Sequence, residues 1–193
     1  MPVYLIGLIV LLALYIFSTY NKFRTTETRI KASIQEIGNQ LKRQAEMIPN
    51  LVASVKGYMK HEQSALKKIT DARKTILQAV KSNDVQKLVD AAANLQSAIT
   101  PIQAVFESTP ELKAAGPTQK LMDELRDTAD KVMYSRRTLI DLSADYNVMI
   151  VTFPSSLIAN LFSFKQKPGL KTAETGEHVE VSKVDTKTPK VKL

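Results

Sequence analysis

Apolar positions along the chain form one unbroken run followed by three long periodic series. The run, Pro2 to Tyr20, contains no charged side chain. From Ile30 to Val80, from Val85 to Phe106 and from Leu121 to Phe153, apolar residues recur at steps of three and four. That spacing places each series on one face of an α-helix. The pattern predicts one strongly hydrophobic helix and a set of amphipathic helices that pack through their apolar faces.

The first run has the length and composition of a transmembrane helix. Its 19 residues would extend for about 28 Å at about 1.5 Å per residue, close to the hydrocarbon thickness of a bilayer. A cleaved signal peptide is the competing interpretation, but no basic segment precedes the run and no Ala-x-Ala-like site follows it. We therefore predict an uncleaved anchor, with the transmembrane residues Pro2 to Tyr20 in contact with the lipid bilayer.

Pro49 interrupts the first amphipathic series. Because proline has no backbone N–H, the helix must either kink or break there. If it kinks, residues 21–81 form one bent rod of roughly 90 Å; if it breaks, this region supplies two helices. Gln44, Glu62 and Arg73 occupy polar positions in the seam, where such residues usually fix the register between helices, with contact to a partner as the alternative.

Short breaks separate the series, and the composition changes after Phe164. Lys81 to Asp84 has the composition of a turn with a helix cap, and a loop with two prolines and a glycine is expected from Ser108 to Pro117. The predicted fold class is all-α, a membrane-anchored antiparallel helical bundle with three to four long helices in an up-and-down order. The predicted domains are an anchor over residues 1–20, a bundle over 21–164 and a disordered Lys-rich tail over 165–193.

Two motifs resemble the signature of the LemA family. They are QLKRQAEMIPNLVASVKGYMKHE over residues 40–62 and YNVMIVTFPSSLIANLFSF over residues 146–164. With Tyr20-Asn21, the resemblance covers the chain from about Tyr20 to Phe164, whereas Ile34, Gly38 and Leu139-Ile140 depart from the usual pattern. It implies a four-helix arrangement and fixes architecture better than activity. The matching residues, candidates for interaction, are Gln40, Lys42, Arg43, Pro49, Asn50, Lys56, Gly57, Tyr58, His61, Glu62, Tyr146, Asn147, Phe153 and Pro154.

Three of these residues have a predicted structural role. Glycine inside a helix costs about 1 kcal/mol relative to alanine. Gly57 therefore indicates a close approach of two helices, with an exposed notch for a partner as the alternative. Asn50 and Asn147 are expected to form hydrogen bonds with backbone groups that the neighbouring prolines leave unpaired.

The sequence contains no recognisable catalytic constellation. His61-Glu62 lacks the HExxH spacing, and the other histidine, His178, lies in the predicted tail. The carboxylates alternate with Lys and Arg, which favours ordinary pairing along helix surfaces. Cysteine is absent, which excludes disulfides and thiolate chemistry. We therefore predict no catalytic, cofactor-binding or metal-binding residue and no enzymatic activity.

The positive charge of the chain points to a membrane surface. The net charge is +8, but the basic region from Lys42 to Lys74 has almost no aromatic residue that could stack on a base, so nucleic acid is not an expected partner. Four basic residues follow the anchor (Lys22, Arg24, Arg29 and Lys31), where anionic lipid is a suitable partner. By the positive-inside rule they predict an N-terminus outside the cell (inner) membrane and a cytoplasmic bundle.

The expected function is that of a bacterial single-pass membrane protein, a non-catalytic scaffold or adaptor. The alternatives are an accessory or regulatory subunit of a membrane enzyme such as a peptidase, and a membrane-shaping or organelle-membrane assembly protein. The sequence does not identify the protein partner, and association of identical chains through helix faces is a further possibility. One local alternative also stays open, because Leu157, Ile158, Leu161 and Phe162 would either lie near the bilayer or cap the bundle core.

Overall fold

The computed structural model describes residues 2–59, 62–82, 84–167 and 170. Within these ranges the chain forms six α-helices and no strands, which confirms the all-α prediction for this part of the chain. The helices are α1 (Pro2–Val55), α2 (Gln63–Ser82), α3 (Val85–Ser108), α4 (Pro110–Ala114), α5 (Gly116–Val151) and α6 (Ser155–Leu161). His61 and residues 171–193, most of the predicted disordered tail, lie outside the described residues.

Helix α1 combines two environments in one uninterrupted element of 54 residues. Through residue 18 its side chains are exposed apart from the half-buried Ile16, although nearly all are apolar. From Thr19 and Phe23 onward a buried stripe begins and continues to Val55. Among the described helices, only α1 has a segment long and apolar enough to cross a membrane, and none of that segment is buried.

Helix α1 passes through Pro49 and ends six residues later at Val55. Pro49 cannot donate to the carbonyl of Ala45, four residues earlier. The guanidinium of Arg73, on α2, supplies the missing donor, since its Nε lies 2.9 Å from the Ala45 oxygen. The first helix therefore ends at Val55 rather than at Pro49, the next begins at Gln63, and the single rod over 21–81 does not form.

The long helices pack mainly as neighbours in two pairs, α1 with α5 and α2 with α3, and α2 also lies against α1. Helices α1 and α5 run antiparallel. Phe23 meets Tyr146 near one end, and the Gln44 amide nitrogen lies 3.4 Å from the Leu125 oxygen farther along. Gln44 is buried, so this polar seam residue links two helices, as its position predicted.

Nearby caps, prolines and side-chain hydrogen bonds accompany the connections between the helices. Asp84 caps α3, with its Oδ1 accepting from the backbone N–H groups of Gln86 and Lys87 at 2.9 and 3.2 Å. The loop expected from Ser108 to Pro117 instead contains the short helix α4, because Pro110 at its first turn has a backbone angle already suited to a helix. At the other end of α5, the hydroxyl of Ser155 lies 2.7 Å from the Met149 oxygen, and so satisfies a carbonyl of the last turn before Pro154.

Candidate functional site

Five aromatic rings meet where the packed part of α1 begins. This aromatic cluster consists of Tyr20 and Phe23 from α1, Tyr146 from α5, and Phe162 and Phe164 from the segment after α6. Phe23 stacks on Phe164 with ring centroids 4.6 Å apart and meets the edge of Tyr146 at 5.6 Å. Tyr20 lies 4.8 Å from Phe162. Such pairs add about 0.5–1.5 kcal/mol each beyond area burial, so the cluster firmly joins three distant segments.

Charged and amide groups close the same cluster from one side. The Lys167 ammonium lies 2.7 Å from Oε1 of Glu27, and the Arg24 guanidinium lies 3.3 Å from Oε2. The side-chain amide of Asn147 binds the backbone of Lys167 twice, accepting from its N–H at 2.8 Å and donating to its oxygen at 2.9 Å. Lys167 belongs to the predicted tail, yet it is held against α1 and α5.

The predicted role of Asn147 is therefore wrong. Its amide binds the returning chain at Lys167 rather than backbone near Pro154. The hydroxyl of Ser155 donates to carbonyls at the end of α5. Asn50 is exposed in α1, and the carbonyl that Pro49 leaves unpaired is bound by Arg73 instead. The donor near Pro49 comes from another helix, whereas the donor near Pro154 is a neighbour in sequence.

The contacts of the cluster shift the pKa of two of its side chains. The hydrogen bond from Lys167 lowers the pKa of Glu27, with a smaller opposing effect from burial. Burial raises the pKa of Tyr146 above its ordinary value. Glu27 is therefore ionised and Tyr146 neutral near pH 7.

The residues Lys56, Gly57 and Tyr58 lie in an exposed turn at the opposite end of α1. The close helix approach predicted at Gly57 is wrong, since a Cβ added there would meet no atom within 4 Å. Its φ also lies outside the left-handed region, so the backbone does not require glycine. Tyr58 is 53% exposed. Glu62 is exposed immediately before α2, where its carbonyl accepts from the backbone N–H groups of Ala65 and Leu66.

Among the remaining signature-matching residues of α1, some bind a neighbouring helix and others do not. The Nε of Arg43 donates to Oε1 of Glu124 on α5 at 2.7 Å. Gln40 donates to Glu36 one turn away, also at 2.7 Å, whereas Lys42 and Pro49 are exposed. Only Arg43 among them makes a side-chain hydrogen bond between helices in the described part of the chain.

The signature-matching residues therefore do not form one site. Tyr146 and Asn147 lie at the aromatic cluster, with Phe153 and Pro154 exposed nearby in sequence. The turn that follows Val55 lies about 48 Å from Phe23 along α1, at about 1.5 Å per residue. The first motif thus lies toward one end of the packed helices, and the second motif lies toward the other.

The apolar residues after Pro154 were expected either to lie near the bilayer or to cap the core, and the structure buries one of them and exposes the others. Ile158 is buried in the packing of α6 against its neighbours, whereas Leu157 and Leu161 are 62% and 70% exposed. Phe162 is partly covered by Tyr20 and remains 43% exposed. One face of α6 therefore packs in the core, and the other face is exposed.

Sequence reasoning missed the convergence at the aromatic cluster. Glu27 and Lys167 lie 140 residues apart, and no local pattern connects them. Tyr20 and Phe23 share one helical face, which was the available signal on α1. It did not indicate that Phe164 would fold back onto that face.

The family comparison covers the chain from within α1 through most of the predicted tail. The model of the LemA family matches residues 33–185. This is most of the chain and includes both motifs, so the chain belongs to the LemA family. The matched range begins after Tyr20-Asn21 and extends beyond Phe164. A search of curated proteins found no match.

Proposed function

We propose that this LemA-family chain is a single-pass, membrane-anchored, non-catalytic scaffold. Residues 2–20 cross the bilayer, and the other long helices form an antiparallel bundle beside it. The observation that carries the proposal is the continuity of α1, which joins an exposed apolar segment to a buried stripe without a break.

The exposed apolar segment is the energetic reason for an anchor. Leu5, Leu8, Leu11 and Leu14 are all at least 60% exposed, and burial of each such side chain is worth about 1.5–3 kcal/mol. The bilayer provides that burial because the packed helices do not cover the segment. Since no linker separates the anchor from the packed helices, the helix fixes the distance between the scaffold and the membrane.

The charge distribution supports a cytoplasmic scaffold in the cell (inner) membrane. Lys22 and Arg29 are exposed immediately after the apolar segment, where cationic side chains favour the cytoplasmic surface. The N-terminus would then lie outside. The charged groups of the aromatic cluster are engaged in structural pairs, which supports a binding role over a catalytic one.

The partner of such a scaffold is a protein, or a second copy of the chain, that packs on exposed helix faces. On α5 the side chains of Met133 and Tyr134 are 67% and 73% exposed. Large exposed apolar side chains are enriched where proteins bind one another.

Alkaline carbonate extraction of cell membranes tests the anchor. The full-length chain should stay in the membrane pellet, and a variant lacking residues 2–20 should become soluble with its helical circular dichroism spectrum retained. Release of the full-length chain would overturn the proposal.

Orientation has a separate test, since the chain has no native cysteine. A Glu107→Cys variant, at an exposed position of α3, should react with a membrane-impermeant maleimide only after permeabilisation of cells stripped of any outer barrier. Labelling before permeabilisation would place the helices outside the cytoplasm and leave the anchor itself intact.

A further inference from the structure

An apolar surface is left open at the end of α5 and on α6. This α6 patch consists of Val151, Phe153, Leu157, Leu161 and Phe162. Its members are between 43% and 76% exposed. Leu157 and Leu161 are four residues apart, so they lie one above the other on the same helical face. The opposite face of α6 holds the buried Ile158 and Ala159, which makes this short helix amphipathic.

The α6 patch lies beside the end of the apolar segment of α1. Helix α6 packs against both α1 and α5. The ring of Phe162 lies 4.8 Å from Tyr20, the last residue of the uncharged run. A bilayer that holds residues 2–20 therefore has its surface at the level of this patch.

The charges around the patch suit an anionic membrane surface. No acidic residue occurs from Tyr146 to Lys167. Lys165 and Lys22 are exposed, and the guanidinium of Arg24 lies over the Phe164 ring at 5.1 Å. Apolar side chains with a margin of cations are the chemistry of a helix that lies in the headgroup region.

We propose that the α6 patch is a second, interfacial contact with the bilayer that holds α1. It rests in the boundary between headgroups and acyl chains, at a depth of about 5–10 Å. The inference depends on the proposed anchor. Its consequence is rotational: one transmembrane helix can turn about its own axis, whereas two contacts determine which side of the helical scaffold faces the membrane.

Depth-dependent fluorescence quenching of the full-length chain in vesicles tests this placement. Single cysteines replace Leu161 in the patch, Leu11 in the anchor and Tyr134 on α5, and each carries the same environment-sensitive fluorophore. Tyr134 is a matched control because it is 73% exposed, yet lies about 18 Å from Tyr146 along α5. The vesicles combine phosphatidylcholine and phosphatidylglycerol with a nitroxide lipid whose quencher is either near the headgroup or near the methyl end.

The expected results differ at the three positions. The probe at position 161 should lose most of its emission with the shallow nitroxide and less with the deep one. The probe at position 11 should show the reverse order, and the probe at position 134 should be unaffected by both. Circular dichroism confirms that each variant retains its helices.

Two outcomes would overturn the inference, and they can be told apart. If the probe at position 11 is quenched and that at position 161 is not, the anchor stands and the interfacial contact is wrong. A blue-shifted but unquenched probe at position 161 belongs to this outcome, and means that a protein surface or a second copy covers the patch. If the probe at position 11 is also unquenched, the proposed anchor fails together with the inference.

Discussion

The two ends of the packed part of α1 differ in how their side chains are held. At the aromatic cluster, Phe23 is fully buried between Phe164 and Tyr146. At the opposite end, Gly57 and Tyr58 are exposed in the turn that follows α1. Residues at both ends match the family signature, so a match by itself does not indicate burial. One end joins distant segments, and the other presents its residues to solvent.

The two prolines in the signature motifs also differ from one another. At Pro49 the helix continues, because Arg73 from a neighbouring helix binds the unpaired carbonyl of Ala45. Before Pro154 the helix α5 ends at Val151, and the nearby Ser155 binds a carbonyl of its last turn. A donor from another helix thus accompanies the continuous helix at Pro49, and a donor close in sequence accompanies the helix end before Pro154.

The largest difference between the two ends is expected for removal of an aromatic ring. Phe23→Ala should lower the free energy of unfolding by about 3–5 kcal/mol, because it leaves a cavity in the aromatic cluster. Tyr58→Ala at the exposed end should change it by no more than about 0.5 kcal/mol. Chemical unfolding of the full-length protein in detergent, followed by circular dichroism, measures both. Equal effects would remove the distinction between the ends.

The pairing of Arg73 with the carbonyl freed by Pro49 should give a measurable coupling. Arg73→Met leaves the Ala45 oxygen without its donor and should cost about 1–3 kcal/mol. In a Pro49→Ala background the backbone N–H of residue 49 binds that oxygen, so the same change should cost less. Four unfolding curves complete the double-mutant cycle. An identical cost of Arg73→Met in both backgrounds would show that Arg73 does not compensate for the proline.

Loss of the ion pair at the aromatic cluster should have a smaller and pH-dependent effect. The pKa of Glu27 is lowered in the folded state by Lys167, so the pair stabilises the fold above the ordinary carboxyl pKa. That contribution is lost as the pH falls through the lowered value. Near pH 7, Glu27→Gln should cost about 0.2–1 kcal/mol, because the pair is partly exposed.

Melting temperatures measured across the acid range test this sign. The difference in melting temperature between the unmodified chain and the Glu27→Gln variant should become smaller as the pH falls. At neutral pH, the Lys167→Met variant should show the same difference. A gap that widens in acid would contradict the assigned charge state.

The smallest effect is expected at Gly57. Because a Cβ there meets open space, Gly57→Ala should change the free energy of unfolding by no more than about 0.5 kcal/mol. Thermal unfolding is the measurement, with Tyr58→Ala as the neighbouring control. A large loss of stability would contradict this account and support the close approach of two helices at Gly57 that the sequence predicted.

The sequence predicts the helices of this chain better than it predicts their side-chain contacts. Apolar spacing of three and four residues marked the helical stretches, but it continued through residues 56–62 and so did not separate α1 from α2. A helix cap was expected between Lys81 and Asp84, and Asp84 provides it. These signals are local, so they do not depend on how the helices are arranged. The polar position of Arg73 was visible, but its acceptor on Ala45 follows only from the alignment of α2 with α1. Lys167 lies 140 residues from Glu27 in sequence. Because it was assigned to the disordered tail, its contact with Glu27 was not predicted.

The central claim is that α1 passes from the bilayer into the packed helices as one uninterrupted helix. Hydrogen–deuterium exchange of the full-length protein in lipid nanodiscs measures this directly. The account predicts that backbone amides from Ser18 to Ile30, across the membrane boundary, exchange as slowly as those from Leu41 to Ile48, because both stretches keep their helical hydrogen bonds. Rapid exchange confined to Ser18 to Ile30 would reveal a flexible joint and contradict the claim.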